Sequence, residues 1–302
     1  MVGLSYIAVV TSDETRSSYI AVGEAAGWIG EMLGFIANAF IIDQLGLDKC
    51  AYTTSCMSAF SVLIAVMFVV DTTGTSNHHY TWRDIFNFSH LFDGFRIITK
   101  KRPGYKRLLL NLTVLMYSLP VVVTNFYVGG SFLFFVKFQG FSITEFSLYG
   151  AYMDALKSFA GPLLIYVLRK FFTIDQFHFG MFCAMMQVFG YTIMSISWIP
   201  HSVWIGAALL LTETCFYAVV HNLQATICSQ SELAQFFAVD FIIQCILNCV
   251  VYIAAKTVYA LTLTLWPGLF LAVCAFLYVI TMVLTALVAH YFDENSKPDR
   301  ME

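Results

Sequence analysis

Between Arg16 and Ile42 the chain reads RSSYIAVGEAAGWIGEMLGFIANAFII. From Ser18 onward this run has the length of one bilayer-crossing helix, about 20 residues. Backbone polar groups inside lipid must be satisfied within the segment, so a helix is the form such a run takes. It also carries Glu24, Glu31 and Asn38, spaced seven apart and therefore along one helical face. A carboxylate in hydrocarbon is costly, so that face is expected to meet protein or a water-filled path. Gly23, Gly27, Gly30 and Gly34 fall between the polar positions. Small residues at helical spacing predict that another helix comes close.

The rest of the chain repeats this pattern. Of its 302 residues 59% are hydrophobic and 12% charged, against about 25% charged in a soluble domain. The fold class is an all-α polytopic membrane protein. After the first run, further apolar runs are read at about 51–70, 108–136, 146–168, 176–198, 203–227, 236–258 and 265–290. Breaks such as Gln139-Gly140, Pro200-His201 and Ser229-Gln230-Ser231-Glu232 separate the later runs. Eight full spans are expected, preceded by a partial apolar stretch at 2–10. They divide into residues 1–70, a basic segment at 71–107, a six-helix part at 108–292 and a tail at 293–302. Placing the basic segment in the cytoplasm and alternating leaves twelve of the sixteen Lys and Arg inside and two outside. The positive-inside rule favours that orientation.

Several spans carry polar residues. Asp154 and Lys157, three apart, are expected to pair on one helical face. They are read either as substrate contacts or as a pair that orders the bundle. Glu213, Tyr217 and His221, four apart, form a stripe of carboxyl, phenol and imidazole able to hold or pass a proton. Asp240, Gln244 and Asn248 form a second stripe, read as packing contacts, with Asp240 near the cytoplasmic end. Asn125 is a single amide in the span after the basic segment. The candidate proton-coupling residues are Glu24, Glu31 and His221. The candidate substrate-binding residues are Glu213, Tyr217, Asp154, Lys157 and Asn125.

Other classes find no support. The net charge of −3 makes no case for nucleic acid. The eight cysteines show no metal or redox spacing, and six lie in or beside apolar runs as small hydrophobes. No metal-ligand cluster, nucleophile elbow or phosphate loop falls in a span, so neither an enzyme nor a cofactor is expected.

Two spans, a long basic cytoplasmic segment and six spans resemble the later part of a twelve-helix major facilitator transporter, built as six plus six helices. The turn Ser12-Asp13-Glu14-Thr15-Arg16, leading into Ala21-Val22-Gly23-Glu24-Ala25, is similar to the fourth-to-fifth helix turn of the proton-coupled folate transporter family, solute carrier family 46. Glu232-Leu233-Ala234-Gln235-Phe236-Phe237 resembles that family's Glu-x-Gly-x-x-Phe, with Ala234 in place of Gly. Trp266-Pro267-Gly268 is also similar. The resemblance implies that the first three to four helices are missing from this chain. It implies a secondary transporter in which Glu24 is the functional glutamate of the fifth helix. The cargo would be a small organic anion, folate-like or related, moved with protons across the plasma membrane or an endolysosomal membrane. The pattern departs at Tyr19, where the family has a second Arg, and at Val9, where it has an acid. His221 stands where the tenth helix usually has Arg. Asn125 or Phe126 stands where the seventh has His. A second reading is a transport-inactive fragment or a partner-binding pseudo-transporter.

Overall fold

The computed structural model describes residues 13–68, 95–160, 162–164, 166–167, 175–196, 201–263 and 266–295. The expected partial helix at 2–10, the segment 71–94 and the end of the tail lie outside the described residues. The main helices are α1 (Asp13–Leu45), α2 (Leu47–Phe68), α3 (Lys106–Leu133), α4 (Ile143–Ala155), α5 (Gln176–Ser195), α6 (Ser202–Leu209), α7 (Glu213–Ile227), α8 (Gln230–Thr262) and α9 (Leu269–Asn295). A wider π turn extends α3 through Phe134–Phe138, and another extends α4 through Leu156–Ala160. A short 3₁₀ turn, Leu210–Thr212, joins α6 to α7 within a single span.

Six stretches among the described residues are long and apolar enough to cross a membrane: Ala25–Gln44, Lys106–Phe138, Gln176–Ser195, Ser202–Ile227, Gln235–Thr262 and Leu269–Asn295. The other two expected spans are helical over α2 and over α4 with its π turn, but parts of both lie outside the described residues. In α2 the apolar stretch is the shorter Ala51–Ile64, exposed along its length.

Local chemistry sets several helix ends. Ser142 and Glu145 form a capping box at α4. The Ser142 hydroxyl accepts from the Glu145 N–H (3.1 Å), and the Glu145 carboxylate accepts from the Ser142 N–H (2.7 Å). The Ser142 N–H holds the Glu145 carboxyl below its ordinary range. Asp175 caps α5 by accepting from the Phe177 N–H at 3.0 Å. Between α1 and α2 the chain turns at Gly46, whose φ of 86° lies in the left-handed region that favours glycine.

The helices pack with α9 between α3 and α5, α8 along α3, and α6 against α5. Helix α7 lies inside this group, touching α3 and α5, with every residue buried except Asn222 and Thr226. Helix α1 crosses onto α4 and α7, and α2 lies on α1. At one end of the bundle Arg102 reaches Glu232 at 2.8 Å, with Lys100 on the same carboxylate. There the Tyr105 N–H also donates to Asn295 Oδ1 at 3.1 Å. At the other end Trp266 Nε1 donates to the Ser195 carbonyl (3.3 Å), and the Tyr149 hydroxyl donates to the Val203 carbonyl (3.2 Å). The starts of α3 and α8 therefore lie beside the end of α9, as alternating spans require.

The close approaches differ from the expectation. Among the described residues, a Cβ added to Gly27, Gly30 or Gly34 would meet nothing within 4 Å. The glycines that admit another helix there are different ones. A Cβ on Gly150 of α4 would come within 2.9 Å of the Phe35 ring from α1. Gly190 and Gly206 face each other, and a Cβ on Gly206 would lie 2.7 Å from the Gly190 carbonyl oxygen. Spacing alone marks small residues as permissive of contact; the partner's shape decides which are used.

Candidate functional site

The 3₁₀ turn before α7 ends at Thr212, so Glu213 begins the helix deep in the bundle, 1% exposed. Its carboxylate lies 2.7 Å from Lys157 Nζ, an ion pair buried at both ends. The Tyr217 hydroxyl, one turn along α7, donates to Glu213 Oε1 at 3.0 Å. From α3 the Thr124 hydroxyl is shared between the Glu213 carboxylate (2.5 Å) and the Pro120 carbonyl (3.1 Å). Lys157 stands in the π turn of α4, where the Thr214 hydroxyl donates to its carbonyl at 3.2 Å. On its other side the ammonium lies 4.1 Å from the centre of the Trp28 ring of α1, a cation–π contact. A side chain that precedes the basic segment thus covers a cluster drawn from three helices that follow it.

Of the expected site residues, the structure brings Glu213, Tyr217 and Lys157 into one cluster. Asp154 is buried nearby, 5% exposed, but the expected Asp154–Lys157 pair is not formed. Lys157 pairs with Glu213 instead. A wider turn at Leu156–Ala160 breaks the simple three-residue spacing of an α-helix, and such turns recur at functional sites. Asp154 interacts with Lys157 through space, and its Oδ2 has no hydrogen-bond partner among the described residues. Glu31 is exposed rather than enclosed, yet it lies within the electrostatic reach of Lys157 and Glu213. Glu24 lies on α1, and its side chain falls outside the described residues. Asn125 donates to Asn248 at 2.7 Å, tying α3 to α8 away from the ion pair.

His221, two turns after Glu213, belongs to a second buried group. Its Nδ1 is 3.1 Å from Gln224 Oε1, and its ring lies 4.6 Å from Tyr117 and 5.5 Å from Phe237. Tyr117 also meets Tyr217 at 5.4 Å, so the two groups adjoin through aromatic rings. Asp240 was expected near solvent; it is fully buried instead. Its helix starts at Gln230 and lies along α3, and His221 and Gln224 of α7 lie within electrostatic reach of its carboxyl.

Spacing singled out neither Trp28 nor Thr124, and it marked Asp240 only as a packing contact in the stripe with Gln244 and Asn248. Periodicity places each on a helix face, but only the crossings of α1, α3, α7 and α8 reveal which face meets a charge. No group of three or more metal-ligating side chains with metal-site geometry occurs among the described residues.

A buried lysine with one carboxylate, two hydroxyls and an aromatic face holds charge in apolar surroundings at low net cost. Its balance changes when a proton or an ion arrives, which is the chemistry a transport site needs. A search among curated proteins finds no match. Residues 1–246 match the family described as Major Facilitator Superfamily. With its bilayer-length helices, the chain is an integral, multi-pass membrane protein that belongs to the Major Facilitator Superfamily.

Proposed function

We propose that the chain is a proton-coupled secondary transporter that moves a small organic anion by alternating access. The observation that supports this reading is the buried Lys157–Glu213 pair, held at 2.7 Å and covered by Trp28. With Glu213 ionised, the pair is neutral and Lys157 has no need of another anion. Protonation of Glu213 releases the ammonium, which then accepts an organic anion. Proton and anion together keep the site neutral, so the occupied site can change its exposure without carrying net charge through the bilayer.

Glu24 and Glu31, seven residues apart on α1, are proposed as proton carriers leading to this pair. His221 is a further proton-coupling residue. Tyr217, Asp154 and Asn125 are proposed to line the substrate path. The residue matches at Glu24 and Glu232–Phe237 support placement in the proton-coupled folate transporter family. The cargo is then a folate-like or related anion, taken across the plasma membrane or out of an acidic endolysosomal compartment.

The test is uptake of labelled organic anions, folates among them, by proteoliposomes with an acid gradient. The expected result is gradient-driven net uptake that Glu213→Gln and Glu24→Gln each abolish, with labelled-for-unlabelled exchange reduced less. Gradient dependence unchanged in both variants would refute the proton role. Well-folded protein that moves no anion would favour a partner-binding membrane protein.

A further inference from the structure

Asp240 is the most enclosed carboxyl group in the described residues that has no cationic lysine or arginine beside it. It is 0% exposed. Oδ1 accepts from Gln244 Nε2 at 3.4 Å, and that amide also donates to Ser118 Oγ at 2.9 Å. Among the described residues Oδ2 has no hydrogen-bond partner. The groups that face Asp240 are His221 and Gln224 from α7, Gln244 from its own helix and Ser118 from α3. His221 is the one among them that can become positive.

A buried carboxylate without a countercharge is expensive. Asp240 therefore either holds a proton or faces a protonated His221. The surroundings of the imidazole allow the second state. The Gln224 amide oxygen can only accept, so His221 Nδ1 carries a hydrogen and Nε2 is the nitrogen that gains the second proton. The Tyr117 and Phe237 rings at 4.6 and 5.5 Å present aromatic surface to the resulting cation. A proton passing from the carboxyl to the imidazole leaves the total unchanged. A proton added from outside or lost to it changes the charge of the pair by one.

We propose that Asp240 and His221 form a second proton-binding site, distinct from the Lys157–Glu213 pair and about 12 Å from it along α7, two helical turns away. The two sites adjoin through Tyr217, which donates to Glu213, and Tyr117, which lies between Tyr217 and His221. The site binds protons whatever the cargo. Its part in transport rests on the proton-coupled reading above.

Infrared difference spectra of the full chain in lipid nanodiscs, recorded across a pH titration, test the site directly. The expected spectrum contains a protonated-carboxyl band that Asp240→Asn removes and Glu213→Gln retains. His221→Gln should shift the titration midpoint of that band. Carboxyl bands left wholly unchanged by Asp240→Asn in folded protein overturn the proposal, as does a midpoint indifferent to His221→Gln. In proteoliposomes Asp240→Asn should reduce gradient-driven uptake roughly tenfold or more while sparing exchange. Unaltered gradient-driven uptake in this variant refutes the transport role. Wild-type uptake that ignores the gradient would instead refute proton coupling as a whole, and the infrared result would still decide whether the second site exists.

Discussion

Glu213 and Lys157 illustrate what a single charge costs inside a bundle. Both side chains are almost fully enclosed, 1% and 6% exposed. Removing one partner leaves the other charged and unpaired, which costs about 3–5 kcal/mol, whereas replacing both with apolar groups of similar volume is often neutral. Glu213→Gln should therefore lower the thermal midpoint of the purified protein clearly. Adding Lys157→Met to it should recover much of the loss. Thermal unfolding of the two single variants and the double variant in detergent checks this. Additive losses would mean that the pair contributes through its packing alone. The stripe Glu213–Tyr217–His221 was legible from spacing, since one helix face is fixed by its period. The partner of Glu213 was not, because Lys157 lies 56 positions earlier in the chain and arrives through a helix crossing.

At the scale of elements, two kinds of contact hold the helices in register. In lipid, helix association depends on close packing, and small residues allow it. The crossing of α5 and α6 uses Gly190 and Gly206, where an added Cβ on Gly206 meets the Gly190 carbonyl oxygen at 2.7 Å and Met194 Cγ at 2.2 Å. Backbone cannot move aside as a side-chain tip can. Gly206→Val is expected to destabilise the bundle by about 1–3 kcal/mol, read as a lower unfolding midpoint. Gly27→Ala on α1 meets open space and should leave that midpoint nearly unchanged.

The second contact is the clasp of Glu232 at the start of α8 with Arg102 and Lys100. Hydrogen bonding to Lys100, opposed by partial burial and reinforced by Arg102, holds the Glu232 carboxyl below its ordinary value of 4.5. A depressed carboxyl contributes stability above that ordinary value and loses it as pH falls through its lowered one. Glu232→Gln should thus lower stability near neutral pH by about 1 kcal/mol or less, since Lys100 is well exposed. The difference should vanish in acid. Unfolding midpoints of both proteins across pH 3–8 check the convergence.

For the molecule as a whole, orientation in the membrane follows from where the basic residues gather. Ser229, in the turn beside the Lys100–Arg102–Glu232 clasp, is expected on the cytoplasmic side, and Gln139, at the far end of α3, on the opposite side. Single cysteines at these positions, in a background without the exposed Cys56, Cys245 and Cys249, should react with an impermeant reagent from opposite faces. Labelling of Ser229→Cys from outside intact cells would reverse the topology.

The sequence by itself determined that the chain is helical and membrane-bound, because apolar runs near bilayer length leave the backbone no other way to satisfy its hydrogen bonds. It also determined which polar residues share a helix face, because the helical period is fixed by local geometry. Tertiary structure decided which of those faces meet. It paired Lys157 with Glu213 rather than with Asp154, laid Trp28 over the ammonium, enclosed Asp240 beside His221, and among the described residues left Gly27, Gly30 and Gly34 without the neighbours their spacing invites. The physical reason is that a period specifies direction around a helix, while contact depends on the angle and depth at which another helix crosses it. Those are set by the shapes of residues far away in the chain, such as Phe35 against Gly150.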